Sequence, residues 1–375
     1  MMRELLHCAQ FDEWAGSGDC TLPIVQLACR LPAGVARFPG GELPALQDAL
    51  GQAVGHYQRA LAQQHHQHLQ HLQHLQHQWP QQPEPALMAA QALLESLAGV
   101  GAQRVSLQWG ARTGLHLRSA LRQAQAPLHW RRYRFQSAHR LPHVPVGHQC
   151  GRMHGHGFEA VISARSGWAE LDEAWAPLHA LLNYRCLNTI DGLDNPTSER
   201  LAQWLWQHLA NSVAGLESVS VFETASCGAH AQDAGTRLRI WKDFSLDSAT
   251  QLNQAPASHP RAQLHGHTYG LRLHLQAELD QRLGWAVDFA DIKQAFKSIF
   301  DRIDHQRIDD LPAHAQHPVH NGDCASLARW VAAHTQAVLP NLYRVDLSET
   351  PGCGVSLGTA LPEVSDGPLL PASAP

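Results

Sequence analysis

The chain has 375 residues, 44% of them hydrophobic and only 16% charged, with 28 Lys+Arg against 33 Asp+Glu for a formal charge of -5. Such a chain can bury cores for two or three domains, which excludes disorder along its whole length; with no basic excess, it also lacks the electrostatic footprint of a dedicated nucleic-acid binder. No run reaches the roughly 18 to 20 apolar residues that span a bilayer, so no membrane partner is expected.

Met1-Met2-Arg3-Glu4-Leu5-Leu6-His7 lacks the basic stretch, long apolar core and small-residue cleavage site of a signal peptide, and a cytoplasmic location is the expectation. Eight cysteines (Cys8, Cys20, Cys29, Cys150, Cys186, Cys227, Cys324, Cys353) are scattered with no Cys-x-x-Cys pair. A chain of this size needs no disulfide staples, so reduced thiols are expected.

In chain order, residues 1–125 hold a Gln/His tract at 63–78, QQHHQHLQHLQHLQHQ, whose composition cannot fill a core and reads as a polar insertion. From Trp130, the residues Tyr133, Phe135, Ser137, His139 and Leu141 alternate with polar ones as a strand. His154, His156, Phe158, Ala160 and Ile162 share one face of a second strand. A helix follows around Ala169 to Leu182. The next opens at Asn195-Pro196-Thr197-Ser198-Glu199, where Asn195 or Thr197 can cap, and runs through Leu201, Leu205 and Leu209. Val219, Val221 and Glu223 mark a third strand, and Leu238 with Ile240 suggest a fourth.

The same order recurs from about Leu238. His265, His267, Tyr269, Leu271 and Leu273 lie on one strand face; Phe289, Ile292, Phe296, Ile299 and Ile303 form a helical stripe; Leu327, Trp330, Val331 and His334 form another. Val345, Leu347 and Glu349 close the copy as a strand. Gly167-Trp168-Ala169 aligns with Gly284-Trp285-Ala286, and Phe222-Glu223-Thr224 with Ser348-Glu349-Thr350. These alignments indicate a duplication over 128–240 and 241–360, followed by a Pro-rich tail at 361–375 that reads as disordered.

An eroded third copy precedes them in 1–125. There Gly34-Val35-Ala36-Arg37-Phe38 falls in the place of Trp285-Ala286-Val287-Asp288-Phe289, and Pro83 to Gln108 tracks Pro196 to Phe222. Trp109 stands in the place of Glu223, and the segment has no His-Gly-His.

The most specific feature is Phe135-Gln136-Ser137-Ala138-His139-Arg140-Leu141 followed by Cys150-Gly151-Arg152-Met153-His154-Gly155-His156. Two histidines at i and i+2 on a strand point to one face, and a third from a neighbouring strand completes a three-nitrogen site. Three imidazoles with an open fourth position are the pattern of a catalytic zinc. Ordinary strand histidines account for His154 or His156 alone, but poorly for all three beside Cys150.

On these motifs, roughly Trp130 to Gly358 resembles two copies of the 6-pyruvoyl-tetrahydropterin synthase and 6-carboxytetrahydropterin synthase family. That family combines Cys-x-x-x-His-Gly-His with Asp-Phe before its first helix, Asp-His after it, Pro-Thr-x-Glu at its second helix and Glu-Thr on its third strand. The copies depart from the pattern in complementary ways. The first keeps His139, His154, His156 and Cys150 but has Asn183-Tyr184 in place of Asp-His. The second keeps Asp288-Phe289 and Asp304-His305 but has Thr250 for the first zinc histidine and Arg261 for the cysteine.

The resemblance implies an α+β fold in which each copy is an antiparallel four-stranded sheet with two helices on one face, three copies closing a barrel. It also implies Zn2+ on His139, His154 and His156, with Cys150, Asp304 and His305 catalytic and Glu223, Thr224, Glu349 and Thr350 available to bind substrate. Sites in this family lie between neighbouring units, so one composite site is expected in the fused chain, which is itself expected to pair as a homo-oligomer. The implied reaction is that of a lyase converting 7,8-dihydroneopterin triphosphate to 6-carboxytetrahydropterin, acetaldehyde and triphosphate, on the route to queuosine and other deazapurines. The alternatives are 6-pyruvoyl-tetrahydropterin synthase activity and a non-catalytic pterin- or zinc-binding protein.

Overall fold

A computed structural model describes residues 3–10, 24–29, 35–65, 83–109, 112–119, 126–235, 237–312 and 321–358. Most of the Gln/His tract and all of the Pro-rich tail lie outside them. Three successive runs of strands and helices follow one another. The N-terminal unit has β1 (Arg3–Gln10), β2 (Ile24–Cys29), α1 (Glu42–His65), α2 (Pro83–Ser96), β3 (Ala102–Trp109) and β4 (Thr113–Arg118). The middle unit has β5 (Leu128–His139), β6 (His154–Ala164), α3 (Trp168–Leu182), the two-residue β7 (Arg185–Cys186), α4 (Ser198–Leu209), β8 (Leu216–Thr224) and β9 (Cys227–Gln232). The last unit has β10 (Arg237–Thr250), β11 (His265–Leu275), α5 (Phe289–Phe300), α6 (Cys324–Val338), β12 (Leu342–Thr350) and β13 (Cys353–Gly358).

All strands except β7 form one antiparallel sheet in the order β4-β3-β2-β1-β13-β12-β11-β10-β9-β8-β6-β5, and β4 pairs with β5 to close it into a barrel. The seams between units are β4 with β5, β9 with β10 and β13 with β1, so the three units cover one another's sheet edges. The α+β barrel expected from three copies is therefore the observed architecture. Among the described residues, no helix is long and apolar enough to cross a membrane.

Period-two alternation explains the placement of each strand. On β5, Tyr133 and Phe135 turn outward beneath the helices, Tyr133 stacking on Trp175 of α3 with ring centroids 4.6 Å apart. The intervening Trp130 and Arg132 face the barrel interior, where Trp130, Val161, Phe222 and Trp241 form a small apolar cluster. Ion pairs also lie in the interior: Arg132 with Glu159 at 2.8 Å, Arg272 with Asp243 at 2.6 Å, Arg344 with Asp346 at 2.9 Å.

Two of the seams explain otherwise odd glycines. Gly114 pairs directly with Trp130 and Gly228 with Trp241; a Cβ at either would come within 2.5 Å of the indole. The next unit's tryptophan lies flat across the strand, so only glycine fits beneath it. The fourth strand expected at Leu238 and Ile240 is a correction: those residues open β10, and the fourth strand of the middle unit is β9, CGAHAQ. Ala229 and Ala231 turn one face into the core while Gly228 lies under Trp241, an alternation of small residues that carries little apolar signal.

The helices start where side chains can cap them. Thr197 accepts from the Arg200 N–H, Asp288 from the Ala290 N–H and Asp323 from the Ser326 N–H. Of the two caps open for α4, the structure uses Thr197.

Candidate active site

β5 ends at His139 and β6 begins at His154, paired directly across the ladder, with His156 two residues on and on the same face. The ligand-capable atoms of the three histidines lie within 4.8 Å of one another. Each ring is fixed from behind by a backbone carbonyl. The Nδ1 of His139 contacts Pro196 O at 3.0 Å, that of His154 contacts Arg152 O at 2.8 Å, and that of His156 contacts Glu223 O at 2.8 Å. A carbonyl can only accept, so each Nδ1 carries the proton and each Nε2 is left with a free lone pair.

The Nε2 atoms of His139 and His156 are 3.0 Å apart. With both protons on the far nitrogens, two lone pairs face each other and repel unless a cation lies between them. Tetrahedral zinc with bonds of about 2.0–2.1 Å would space two such nitrogens by roughly 3.3 Å. The residues therefore fit a zinc ion, and the carbonyl partners supply the orientation that zinc-bound imidazoles need. Burial is the main cause that pushes the His139 pKa down to about 4, the neighbouring His156 and His154 adding to it, so the ring is neutral at pH 7 and ready to ligate.

Cys150 sits in a one-turn helix, Gln149–Gly151, four residues before His154. Burial raises its pKa, and Glu223 and Asp288 raise it further. The protein alone therefore holds the group as a thiol, and a thiolate there needs a cation nearby. Glu223 is the penultimate residue of β8 and stands beside the triad. Its Oε2 accepts from Ser198 Oγ at 2.5 Å, and its Oε1 lies 3.9 Å from His156 Nε2. Thr224 turns away from it, its hydroxyl 3.0 Å from Cys227 Sγ.

The last unit repeats this backbone with different chemistry. Thr250 takes the place of His139 and donates to Gly322 O at 2.7 Å. Arg261 takes the place of Cys150, and its guanidinium sits 2.5 Å from Glu349 while also donating to Gln47 of the N-terminal unit. Glu349, 5% exposed, is thus already engaged by a guanidinium of its own unit, whereas Glu223 is held by the Ser198 hydroxyl and meets no arginine or lysine in the contacts among the described residues. Burial, His265 and Arg261 together push the His267 pKa down to about 4. We expect Thr250→His alone to bind metal weakly beside the Arg261 charge. In a chain without the Gln/His tract at 63–78, Thr250→His with Arg261→Cys should raise the tight zinc count measured after dialysis from one to two.

Asp304 and His305 make their own pair at 2.9 Å, the His305 main chain at φ 55 and its side chain 77% exposed. Asp247 holds both: its N–H donates to Asp304 Oδ1 and its O accepts from the His305 N–H. His305 borders an open cavity of about 720 Å³ lined also by His265 and His267. None of the contacts among the described residues joins Asp304 or His305 to His139, His154, His156 or Cys150. β10, which anchors the pair, stands three strand positions from β6, roughly 14 Å around the sheet at about 4.8 Å per step. The chain thus assembles the triad, Cys150 and Glu223 in one place and Asp304-His305 in another. The corresponding place in the middle unit holds Asn183 and Tyr184, with Tyr184 in the same left-handed conformation.

One buried acid was not singled out by sequence, though it lies in the Pro-Thr-x-Glu motif. Glu199 is 2% exposed, and its Oε1 accepts from the Ala286 N–H at 2.9 Å across the unit boundary. Burial raises its pKa to about 7, and Glu223 adds to the rise. A carboxyl whose folded pKa exceeds its unfolded value stabilises most below pH 4.5 and loses that contribution as pH rises to about 7. Glu199→Gln should therefore melt higher relative to wild type at pH 8 than at pH 5. The difference should be on the order of 2 to 3 kcal/mol in paired thermal melts.

With the geometry established, the relatives are informative. The profile of the family described as 6-pyruvoyl tetrahydropterin synthase matches residues 129–234 and again 239–359. The chain belongs to this family. The two matched segments are the middle and last units, as tandem copies require. A curated relative, 6-carboxy-5,6,7,8-tetrahydropterin synthase of Synechocystis, is 31% identical over 116 residues, covering 27% of this chain and 88% of that protein. The solved 6-pyruvoyl tetrahydropterin synthases of Caenorhabditis elegans and Plasmodium falciparum align at 20% and 13% identity with TM-scores of 0.28 and 0.27. Those alignments cover 33% and 32% of this chain and 96% and 98% of those chains. Family membership and the histidine triad together support a lyase of pterin metabolism with a metal-capable site.

Proposed function

We propose that the chain is a zinc-dependent lyase that takes 7,8-dihydroneopterin triphosphate and water to 6-carboxytetrahydropterin, acetaldehyde and triphosphate, as on the route to queuosine and other deazapurines. The observation that carries this reading is the triad in a single tautomeric state, its three Nε2 lone pairs converging four residues after Cys150. Its similarity to the Synechocystis 6-carboxytetrahydropterin synthase points to the same branch.

When bound on His139, His154 and His156, zinc supplies a Lewis acid that lowers the pKa of a ligated side-chain hydroxyl. Cys150 removes a carbon-bound proton of the side chain. Glu223, held by Ser198, accepts from the pterin ring N–H and its amino group, a charge-assisted contact that fixes the ring. Glu349 and Thr350 have no such role in this reading, because Arg261 already occupies that carboxylate.

Asp304 orients His305 and raises its pKa, so the imidazole can carry a proton to or from the side chain as triphosphate leaves. Because His305 is exposed and the pair stands apart from the triad of its own chain, it serves the triad of a second copy of the chain. The working assembly is a homo-oligomer of pseudo-trimeric barrels. The test is a coupled assay of purified, zinc-loaded protein with 7,8-dihydroneopterin triphosphate. Acetaldehyde and triphosphate in equal amounts support the reading; triphosphate with a 6-pyruvoyl product shifts it to the sister reaction; neither product overturns it.

A further inference from the structure

At two junctions of the barrel, a unit sends the segment just before its first long helix onto the site rim of its neighbour. At the junction of the last and middle units, Thr197 Oγ1 donates to Gly284 O, Asn195 Nδ2 to Leu283 O and the Ala286 N–H to Glu199. At the junction of the N-terminal and last units, Phe38 packs on His259 with ring centroids 5.1 Å apart and Gln47 accepts from Arg261. The residue at one position of this segment differs between the two units: Asp288 in the last and Arg37 in the N-terminal; the aligned Leu171 of the middle unit is buried inside α3. The acid stands only where the segment faces the rim that carries a complete histidine triad.

At that rim it has a specific partner. The Nε2 of His148 lies 3.0 Å from Asp288 Oδ2, and the His148 ring packs on Trp285 with centroids 5.7 Å apart. The other ring nitrogen, Nδ1, accepts from the backbone N–H of Cys150 at 3.2 Å. With Nδ1 accepting, the proton sits on Nε2 and is donated to the carboxylate. Asp288 is itself fixed, because its Oδ1 accepts from the Ala290 N–H in the first turn of α5. The chain of contacts runs from the helix of one unit to the backbone of the cysteine in the next.

The last unit provides an internal comparison. His259 holds the place of His148 and makes the same contact, its Nδ1 accepting from the Arg261 N–H at 3.2 Å. It faces the phenyl ring of Phe38 where His148 has a carboxylate, and the residue it supports is an arginine. The imidazole turn is thus a property of the loop; the carboxylate clamp accompanies the cysteine.

We propose that His148 is a positioning residue for Cys150, and that Asp288 locks it from the neighbouring unit. The proposal rests on the lyase reading for the role of Cys150, not for the existence of the clamp. The last unit then contributes to the middle unit's site within the same chain through Asp288, independently of Asp304-His305.

The test uses the full zinc-loaded chain with His148→Ala, Asp288→Leu, the two combined, Asp288→Asn, and His259→Ala as a control. Zinc per chain, kcat and KM for 7,8-dihydroneopterin triphosphate, and amide hydrogen exchange over residues 148–153 are read on each. The two single variants should keep their zinc and KM, lose about ten- to a hundredfold in kcat, and exchange faster over 148–153. The double variant should be no worse than either single, as for residues that act as a unit. Asp288→Asn, which keeps an acceptor, should recover most of the rate, and His259→Ala should leave it unchanged. Multiplying losses, zinc release, faster exchange with undiminished kcat, or unchanged exchange would each overturn the proposal. If the wild-type chain shows no turnover, the lyase reading fails by itself. The exchange comparison then still decides the clamp, faster exchange in both single variants upholding it and unchanged exchange overturning it.

Discussion

His139→Ala should lose the metal and all measurable turnover while leaving a folded barrel. The substitution removes the most buried of the three converging nitrogens and leaves Pro196 O without its donor. Two remaining imidazoles on one strand cannot close a tetrahedral site, so zinc affinity should fall beyond the roughly 10- to 100-fold that loss of an outer partner costs. The orphaned carbonyl and small cavity should cost about 1 to 3 kcal/mol of stability. Metal analysis after dialysis, a melt and the coupled assay check the three parts. A variant that keeps zinc and turns over would remove the triad from the mechanism.

Cys150→Ala and His305→Ala should each reduce turnover by about 10²- to 10⁴-fold, the range expected for loss of a general acid or base, with zinc retained in both. They differ in what mixing does. The exposed Asp304-His305 pair stands on the last unit and has no contact with the triad among the described residues. If it completes the site of a second chain, co-refolded mixtures of the two inactive variants should regain part of the wild-type rate, because some assemblies pair an intact triad and cysteine with an intact His305. No recovery would mean that the site closes within one chain. Full activity of His305→Ala alone would reduce the last unit to scaffold and the Asp288 clamp.

Much of this site is legible in the sequence because strand periodicity makes it so. His154 and His156 at i and i+2 must share a face, and the ladder that places His139 opposite His154 follows from two alternating runs. The helical stripes of α5 and α6 are equally plain, since Ile292, Phe296 and Ile299 pack inward at helical spacing. What stays hidden depends on the closed barrel. Arg132, Arg344 and Asp346 alternate with apolar residues as a solvent face would, yet they pair inside the lumen. β9 sets only the small Ala229 and Ala231 into the core, and Gly228 opposite them lies under Trp241 of the next unit, so its apolar signal is faint.

The remaining gaps come from distance along the chain. His148 and Asp288 are 140 residues apart, and nothing local in His148-Gln149-Cys150 names its partner. Arg261 reads in sequence as a lost cysteine; its contact with Glu349 makes it the occupant of the pocket that the loss left behind. The separation of Asp304-His305 from the triad is likewise set by strand order, which no motif encodes.

Among the described residues, the three units are expected to carry one live metal centre, in the middle unit. Anomalous diffraction at the zinc edge from crystals of the zinc-loaded chain tests it directly. The expected map has one strong peak per chain within about 2.0–2.1 Å of the Nε2 atoms of His139, His154 and His156, and none at His265 and His267. Equal peaks at both pairs of strands, or no peak at the triad, would contradict it.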